Sequence, residues 1–407
     1  MNCVLGPDNI LNETALFRVI YEGVGHVLPC GLSYAVAGIA MMLILVNGVL
    51  LGAGLFSWVE RRLIGRFHNR IGPNRWGPFG LLQPLADLVK LMTKEDLTPA
   101  NADKFVFMMV PVLMLMPVIL VMAVVPFAKD TALANLNIGV LFVLAVSSIS
   151  TLAIFIAGWS SNNRFAMFGA ARAVAVLISY EIPMVVSLLG VVMVAGSMSL
   201  SDVVEAQNVP FLLVQPMALF VFLAAISAEL NRTPFDVAEA ESELIAGYHI
   251  EYSGIKFALI QAAEFGATLA AAALVVTFFM SGWDGPAAKY IGWLWFMIKI
   301  GIVVFLFIWV RATFPRLRID QLMALAWKFL LPLSLTNLAV TTVEVYFFRN
   351  DLGMLSTNDL WVMSGINIAV TIVSIGLFGS LIQEKVKPAK WPQTAQVNIN
   401  ASASEVS

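Results

Sequence analysis

The sequence predicts an all-α, polytopic membrane protein with about nine spans. Of its 407 residues, 59% are hydrophobic and 12% are charged, whereas about 25% of the residues of an average soluble domain are charged. Apolar runs of about 20 residues, long enough to cross a bilayer as helices, recur along the chain. Since lipid offers no partner to backbone polar groups, these runs are expected to be helical.

The predicted spans cover residues 33–58, 105–127, 138–160, 173–195, 211–229, 257–280, 291–311, 329–348 and 361–382. The pattern divides the chain into an extracytoplasmic segment (1–32), a core of eight spans (33–348), an additional ninth span (349–383) and a polar tail (384–407). Two cysteines, Cys3 and Cys30, are too few for a metal cage, and the sequence leaves open whether they pair.

Lysine and arginine set the predicted orientation. The segments that follow the odd-numbered spans hold 19 of these residues, and the opposite side holds 4. The positive-inside rule therefore places the N-terminus outside, the C-terminus in the cytoplasm, and the loops 59–104, 229–256 and 311–328 on the cytoplasmic face. A net charge of −2 gives no reason to expect a nucleic-acid partner.

The loop 59–104 combines a basic cluster, a turn-rich stretch IGPNRWGPFG and an amphipathic segment. In that segment Leu81, Leu85, Leu88 and Met92 share one face of a helix, which predicts a helix lying on the membrane surface. An alternative interpretation of the arginines is that they serve as a positive-inside anchor.

The loop 229–256 is acidic on the side where basic residues usually dominate. Its acids are Glu229, Asp236, Glu239, Glu241, Glu243 and Glu251, against Arg232 and Lys256. A solvated acidic loop is the simpler interpretation. We favour a functional one, because Leu244, Ile245 and Tyr248 place apolar bulk among the acids.

Ionisable residues also interrupt the predicted spans. Glu181, Glu264 and Lys299 lie well inside apolar runs, whereas Glu344 lies near a span end, where it could reach the interface. Charges at membrane depth are costly and often mark ion or proton paths. The alternative is a structural ion pair or an interhelical hydrogen bond, and for Lys299 we expect a carboxylate partner.

The sequence contains no phosphate-binding loop, no dinucleotide fingerprint and no cysteine cluster for an iron–sulfur centre. We therefore expect a conduit or a site wall that binds no cofactor of its own.

Four stretches resemble one known family. They are ERRLIGRFHNRIGPNRWGPFGLLQPLADLVKLMTKE (60–95), GWSSNNRFAMFGAARAVAVLISYEIP (158–183), AELNRTPFDVAEAESELIAGYHIEYS (228–253) and RATFPRLRIDQLMALAWKFLLPLSL (311–335). In this order they are similar to the NADH dehydrogenase subunit 1 family, whose bacterial members belong to NADH–quinone oxidoreductase, or complex I.

This resemblance implies a membrane subunit of a proton-translocating NADH–quinone oxidoreductase in a bacterial cell membrane, with quinone as substrate. Its partners would be other complex I subunits, some of which carry FMN and iron–sulfur clusters. By motif position, the quinone chamber would involve Glu60, Arg61 and Arg70. The resemblance, together with the membrane charges, points to a proton path through Glu181, Glu229, Asp236, Glu239, Glu241, Glu243, Glu251, Glu264 and Lys299.

Two features depart from the family pattern, namely the ninth span and a long segment before the first span. Related enzymes remain an alternative, such as an energy-converting hydrogenase or an oxidoreductase fed by coenzyme F420 or ferredoxin. The full GPNRWGPFGLLQP stretch favours a quinone enzyme. An independent ion transporter is the alternative from another class, but the inverted repeats typical of such transporters are not evident.

Overall fold

A computed structural model describes residues 15–25, 29–129, 131–236, 247–348 and 356–383. Within these ranges the chain is helical and forms no strand. The helices are α1 (Ala15–Gly25), α2 (Cys30–Phe67), α3 (Gln83–Thr93), α4 (Lys104–Val124), α5 (Gly139–Ser160), α6 (Arg164–Ala195), α7 (Leu200–Glu205), α8 (Phe211–Val214), α9 (Pro216–Glu229), α10 (Gly254–Phe279), α11 (Ala288–Thr313), α12 (Ile319–Leu325), α13 (Leu331–Phe348) and α14 (Thr357–Gln383).

The all-α membrane fold is confirmed. Among the described residues, eight helical segments are long and apolar enough to cross a membrane. They are α2, α4, α5, α6, α10, α11, α14 and the continuous segment Ile319–Phe348, which contains α12, a π-helical turn and α13. The helix α9 is apolar but shorter.

The fifth predicted span, 211–229, is not one helix. It is broken into α8 and α9 at Gln215, whose backbone (φ −131°, ψ 63°) lies outside the helical region. Pro216 follows, and because proline disfavours a helical conformation at the preceding residue, it explains the break. Proline is well suited to the first turn of α9, where its missing N–H costs nothing.

The core forms where α4, α5, α6, α9 and α10 pack around one another, and α10 is the most buried of the long helices. The amphipathic helix predicted in the first loop is confirmed as α3. Its Leu85, Leu88 and Met92 are exposed, as expected for side chains that face lipid at the membrane surface.

The orientation of the bundle remains a prediction, which cysteine labelling can test. In a variant with Cys3 and Cys30 replaced by serine, Arg75→Cys is expected to react with an impermeant maleimide from the cytoplasmic side only. Asp284→Cys, in the exposed turn between α10 and α11, is expected to react from the opposite side only. Labelling of both from one side would contradict the alternation of the helices, and a reversed pattern would invert the predicted topology.

Candidate functional site

Two adjoining cavities lie among the helices. The first, which we call the central cavity, has a volume of about 110 Å³. Its wall is largely apolar and comes from α4, α5, α6, α9 and α10. The polar side chains in that wall are Ser147, Ser150, Glu229, Asn231, Tyr248 and Glu264. A water molecule needs roughly 10–15 Å³ measured in this way, so the cavity has room for several waters.

The second cavity, which we call the arginine cavity, has a volume of about 190 Å³. Its lining residues come from α2, α10, α11 and the start of the acidic loop. They are Glu60, Arg61, Ile64, Leu230, Asn231, Arg232, Gln261, Glu264, Phe265 and Arg311. Leu230, Asn231 and Glu264 also line the central cavity, so the two cavities meet at these residues.

A buried carboxylate shared by two arginines forms one wall of the arginine cavity. Arg232 Nη1 donates to Glu60 Oε1 over 2.9 Å, and Arg311 Nη1 donates to the same oxygen. The Glu60 side chain is 5% exposed. The other carboxylate oxygen, Oε2, has no hydrogen-bond partner within the described part of the chain. The trio carries a net positive charge and could stabilise an anionic or strongly polar group in the cavity.

Arg61 also lines the arginine cavity, and its guanidinium is held by a carboxylate that lies outside the cavity. Its Nη1 lies 2.6 Å from Asp87 Oδ2 on α3. Partial burial raises the pKa of Asp87, whereas the hydrogen bond and charge of Arg61 and the charge of Lys90 lower it. The lowering effects together are larger, so the pKa of Asp87 lies below its usual range. Asp87 therefore stays ionised at neutral pH and fixes the guanidinium at the cavity edge.

Glu264 occupies the junction of the cavities. Tyr248 donates its hydroxyl to Glu264 Oε1 over 2.5 Å, and Gln261 Nε2 donates to Oε2 over 3.2 Å. Tyr248 is placed by a close backbone approach: a Cβ atom at Gly169 would lie only 2.8 Å from Gly247 Cα. Glycine at both positions lets the turn that carries Tyr248 lie against α6.

His249 follows Tyr248 in this turn. Burial lowers the pKa of His249, and the charges of Glu264 and Asp236 partly oppose that effect. The imidazole is therefore neutral at neutral pH. Asp236 is buried and accepts a hydrogen bond from Arg316 Nη2 over 2.9 Å, which links the acidic loop to the basic loop 311–328.

Glu229, at the wall of the central cavity, and Glu181 form a second pair of acids. Glu229 ends α9 and contributes to the wall of the central cavity, which Ser147 also lines. Glu181 on α6 is close enough to Glu229 for their charges to interact. The acids predicted from the membrane spans thus meet the first acid of the loop 229–256.

Glu251 and Arg70 do not line either of the two cavities. Glu251 accepts a hydrogen bond from Asn163 over 2.7 Å in a separate surface pocket, and the side chain of Arg70 is exposed. Glu239, Glu241 and Glu243 lie outside the described residues. These assignments remain predictions.

Two expectations about membrane charges are corrected. Lys299 Nζ donates to the backbone carbonyls of Met280, Gly282 and Asp284 over 2.7, 3.0 and 2.7 Å, so its hydrogen-bond partners are carbonyl oxygens, and the carboxylate of Asp284 interacts with it through charge alone. Glu344 is 4% exposed, so its side chain is buried between helices rather than directed outward from a span end.

The sequence does not predict that Arg311, Arg232 and Gln261 line the arginine cavity. The sequence pattern makes Arg311 an orientation signal and Arg232 a minority charge in an acidic loop. A basic residue at a span end gives no sign that it pairs with Glu60, which is 251 positions away along the sequence. Within the described ranges no group of acidic, histidine or cysteine side chains is arranged to hold a metal ion.

The helices and the two cavities define a polytopic α-helical membrane protein with adjoining internal cavities lined by ionisable side chains. Residues 39–342 match the family described as NADH dehydrogenase. Because this match covers most of the chain, the chain belongs to that family.

Its relatives include proteins named as the H subunit of NADH-quinone oxidoreductase. The chain is 52% identical over 337 residues to that of Dehalococcoides mccartyi (strain CBDB1), which covers 83% of this chain and 93% of the relative. It is 49% identical to that of Geobacillus kaustophilus (strain HTA426), over 71% of this chain and 88% of the relative. The family resemblance carried by the four sequence stretches is therefore confirmed.

Proposed function

We propose that this chain is a membrane subunit of a proton-translocating NADH–quinone oxidoreductase. In that enzyme it forms part of the wall of the quinone-binding chamber and couples quinone reduction to proton movement. Family membership and the names of the relatives support the enzyme class. The observation that supports the coupling role is that Glu264 lines both the arginine cavity and the central cavity.

The arginine cavity suits the polar end of a quinone. Reduction of a quinone to a quinol takes up electrons and protons in equal number, and negative charge develops on the ring oxygens before the protons arrive. Arg232 and Arg311 place positive charge at a partly apolar wall, where such charge interacts more strongly than in bulk water. The electrons come from redox groups on partner subunits, since this chain is expected to carry none.

The central cavity suits proton movement. A carboxyl group at the junction experiences charge changes on the quinone side and shares a cavity with Glu229 on the other side. Interacting carboxyls titrate as a group, so a charge change at one end shifts the proton population at the other. Glu264, Glu229 and Glu181 then form the described part of a carboxylate path, and Glu239, Glu241 and Glu243 are proposed to extend it.

The proposed partners are the quinone, lipid, the peripheral subunits that carry FMN and iron–sulfur clusters, and the neighbouring membrane subunits. The proposed location is the cell membrane of a bacterium, since the relatives compared above are bacterial.

Arg61 offers a test of the quinone-wall assignment. Arg61→Ala is expected to lower kcat/KM for quinone roughly tenfold, because about 1.4 kcal/mol of positioning is lost at the cavity edge. Electron transfer to an artificial acceptor at the peripheral arm should be unchanged. The measurement is steady-state kinetics of the assembled complex with both acceptors.

Lys90→Ala is the matched control for Arg61. Lys90 Nζ also reaches Asp87, over 3.4 Å, but it does not line the arginine cavity. Its loss should leave quinone kinetics unchanged. Equal effects of Arg61→Ala and Lys90→Ala, or equal loss of both activities in Arg61→Ala, would show that Arg61 supports the fold of the loop rather than the quinone.

A further inference from the structure

A stripe of polar side chains runs along the buried face of α13. Asn337, Thr341 and Glu344 follow one another at helical spacing and are 1%, 0% and 4% exposed. This stripe lies towards the end of α13 that is farther from the loop 311–328. Polar side chains at membrane depth are costly unless they have partners, so their joint burial needs an explanation.

The break in the fifth span adds a further side chain to this stripe. Gln215 is fully buried, and its Nε2 lies 3.1 Å from Gly190 O and 3.4 Å from Thr341 Oγ1. A Cβ atom at Gly190 would lie 3.0 Å from Asn337 Nδ2 and 3.3 Å from Gln215 Oε1. The amides of Gln215 and Asn337 therefore flank the same glycine of α6.

The ninth span closes the cluster. Asn367 on α14 is 2% exposed and donates its Nδ2 hydrogen to Glu344 Oε2 over 2.8 Å. One turn earlier, Ser364 donates to Leu213 O over 2.8 Å and ties α14 to the broken span. Among the described residues, the partner of the Glu344 carboxyl is thus a neutral amide rather than a cation.

Several polar atoms of this cluster remain unsatisfied by the described part of the protein. They are Glu344 Oε1, Gln215 Oε1 and both amide atoms of Asn337. Buried donors and acceptors in native proteins are nearly always hydrogen-bonded, either to protein or to ordered water. Four such atoms, on two neighbouring amides and one carboxyl, indicate a place where water molecules can supply the missing hydrogen bonds.

We propose that Gln215, Asn337, Thr341 and Glu344 form a hydrated chamber that binds an exchangeable proton on Glu344, held in position by Asn367. Water bridges the amides and the carboxyl, and the proton neutralises the carboxylate, which pairs with no cation among the described residues. The chamber is separate from the two cavities of the candidate site. The carboxyl of Glu229 on α9 lines the central cavity, Glu181 on α6 interacts with Glu229 through its charge, and Asp359 on α14 accepts a hydrogen bond from Ser356 just before that helix.

The proposal is tested on the assembled complex in native membranes, with two readouts that do not require quinone reduction. Infrared difference spectra on exchange into D₂O should show the C=O band of a protonated carboxyl that shifts with deuterium and is lost in Glu344→Gln. Dicyclohexylcarbodiimide, which reacts with protonated carboxyls in apolar surroundings, should label Glu344, as read by mass spectrometry of the peptide.

The matched variants lie one turn apart on α14. Asn367→Leu should shift the infrared band and slow labelling of Glu344, whereas Ser364→Ala, which removes a helix contact outside the chamber, should change neither. A band that is lost in Glu344→Gln but does not shift in D₂O would overturn the hydrated chamber. Absence of both the band and the label would overturn the proton site. Because neither readout depends on quinone chemistry, the chamber can fail while the proposed function stands, and the reverse also holds.

Discussion

Glu60→Ala is expected to prevent stable assembly of this subunit. The carboxylate is buried and accepts hydrogen bonds from Arg232 and Arg311. Its removal takes away the carboxylate that the two guanidinium groups share, and breaking a buried ion pair in this way typically costs about 3–5 kcal/mol. The measurements are the amount of the subunit in isolated membranes and the thermal midpoint of the purified complex.

A second variant separates the contribution of the Glu60 ion pairs to assembly from the contribution of side-chain packing. In Glu60→Ala combined with Arg311→Leu, the remaining charge is smaller and apolar bulk is restored, so assembly should partly recover. Glu60→Gln should assemble better than Glu60→Ala, because it keeps the shape and one acceptor. Glu60→Ala membranes with a normal amount of subunit and an unchanged thermal midpoint would contradict the role of the trio.

An exposed ion pair supplies the matched control for Glu60. Lys129 Nζ lies 3.7 Å from Glu205 Oε1, and the two side chains are 70% and 58% exposed. Exposed pairs of this kind contribute little to stability, because water screens them and the side chains lose freedom. Glu205→Ala should therefore leave assembly and the thermal midpoint unchanged, although it also deletes the acid of an ion pair.

Hydrophobicity predicts the spans well, because a helix that crosses lipid needs an apolar run whatever its neighbours are. It fails at the fifth span, since the apolar run continues through Gln215 while the backbone does not remain helical. Pro216 is the available signal, but a proline inside a membrane run can equally produce a kink.

The acids of the site could be predicted because an isolated charge in an apolar run is rare and conspicuous. The side chains that pair with these acids could not be predicted from the sequence. The contact between Arg232 and Glu60 joins residues 172 positions apart, and such a pairing depends on how the helices pack. The same limit explains Glu344: its position near a span end suggests exposure, whereas the ninth span covers it and supplies Asn367.

Among the substitutions proposed for the candidate site, replacement of Glu264 should lower turnover most. Glu264→Gln is expected to leave the complex assembled, because glutamine keeps the size of the side chain and can still pair with Tyr248 and Gln261. Quinone reduction should fall roughly 100-fold, the scale on which loss of a positioned proton donor or acceptor slows a reaction. Proton translocation should fall in step, since in the proposed mechanism both processes use the carboxyl of Glu264, at which the two cavities meet.

The measurements are quinone reductase activity, transfer to an artificial acceptor at the peripheral arm, and acidification followed by a dye in sealed vesicles. Tyr248→Phe is the graded control, because it deletes the 2.5 Å hydrogen bond to Glu264 but keeps the ring and the titratable carboxyl. It should lower quinone reduction less than Glu264→Gln does and leave the ratio of protons to electrons unchanged. If assembled Glu264→Gln enzyme reduced quinone and acidified vesicles normally, protons would have to pass from the arginine cavity by another route, and the shared wall of the two cavities would be a packing feature alone.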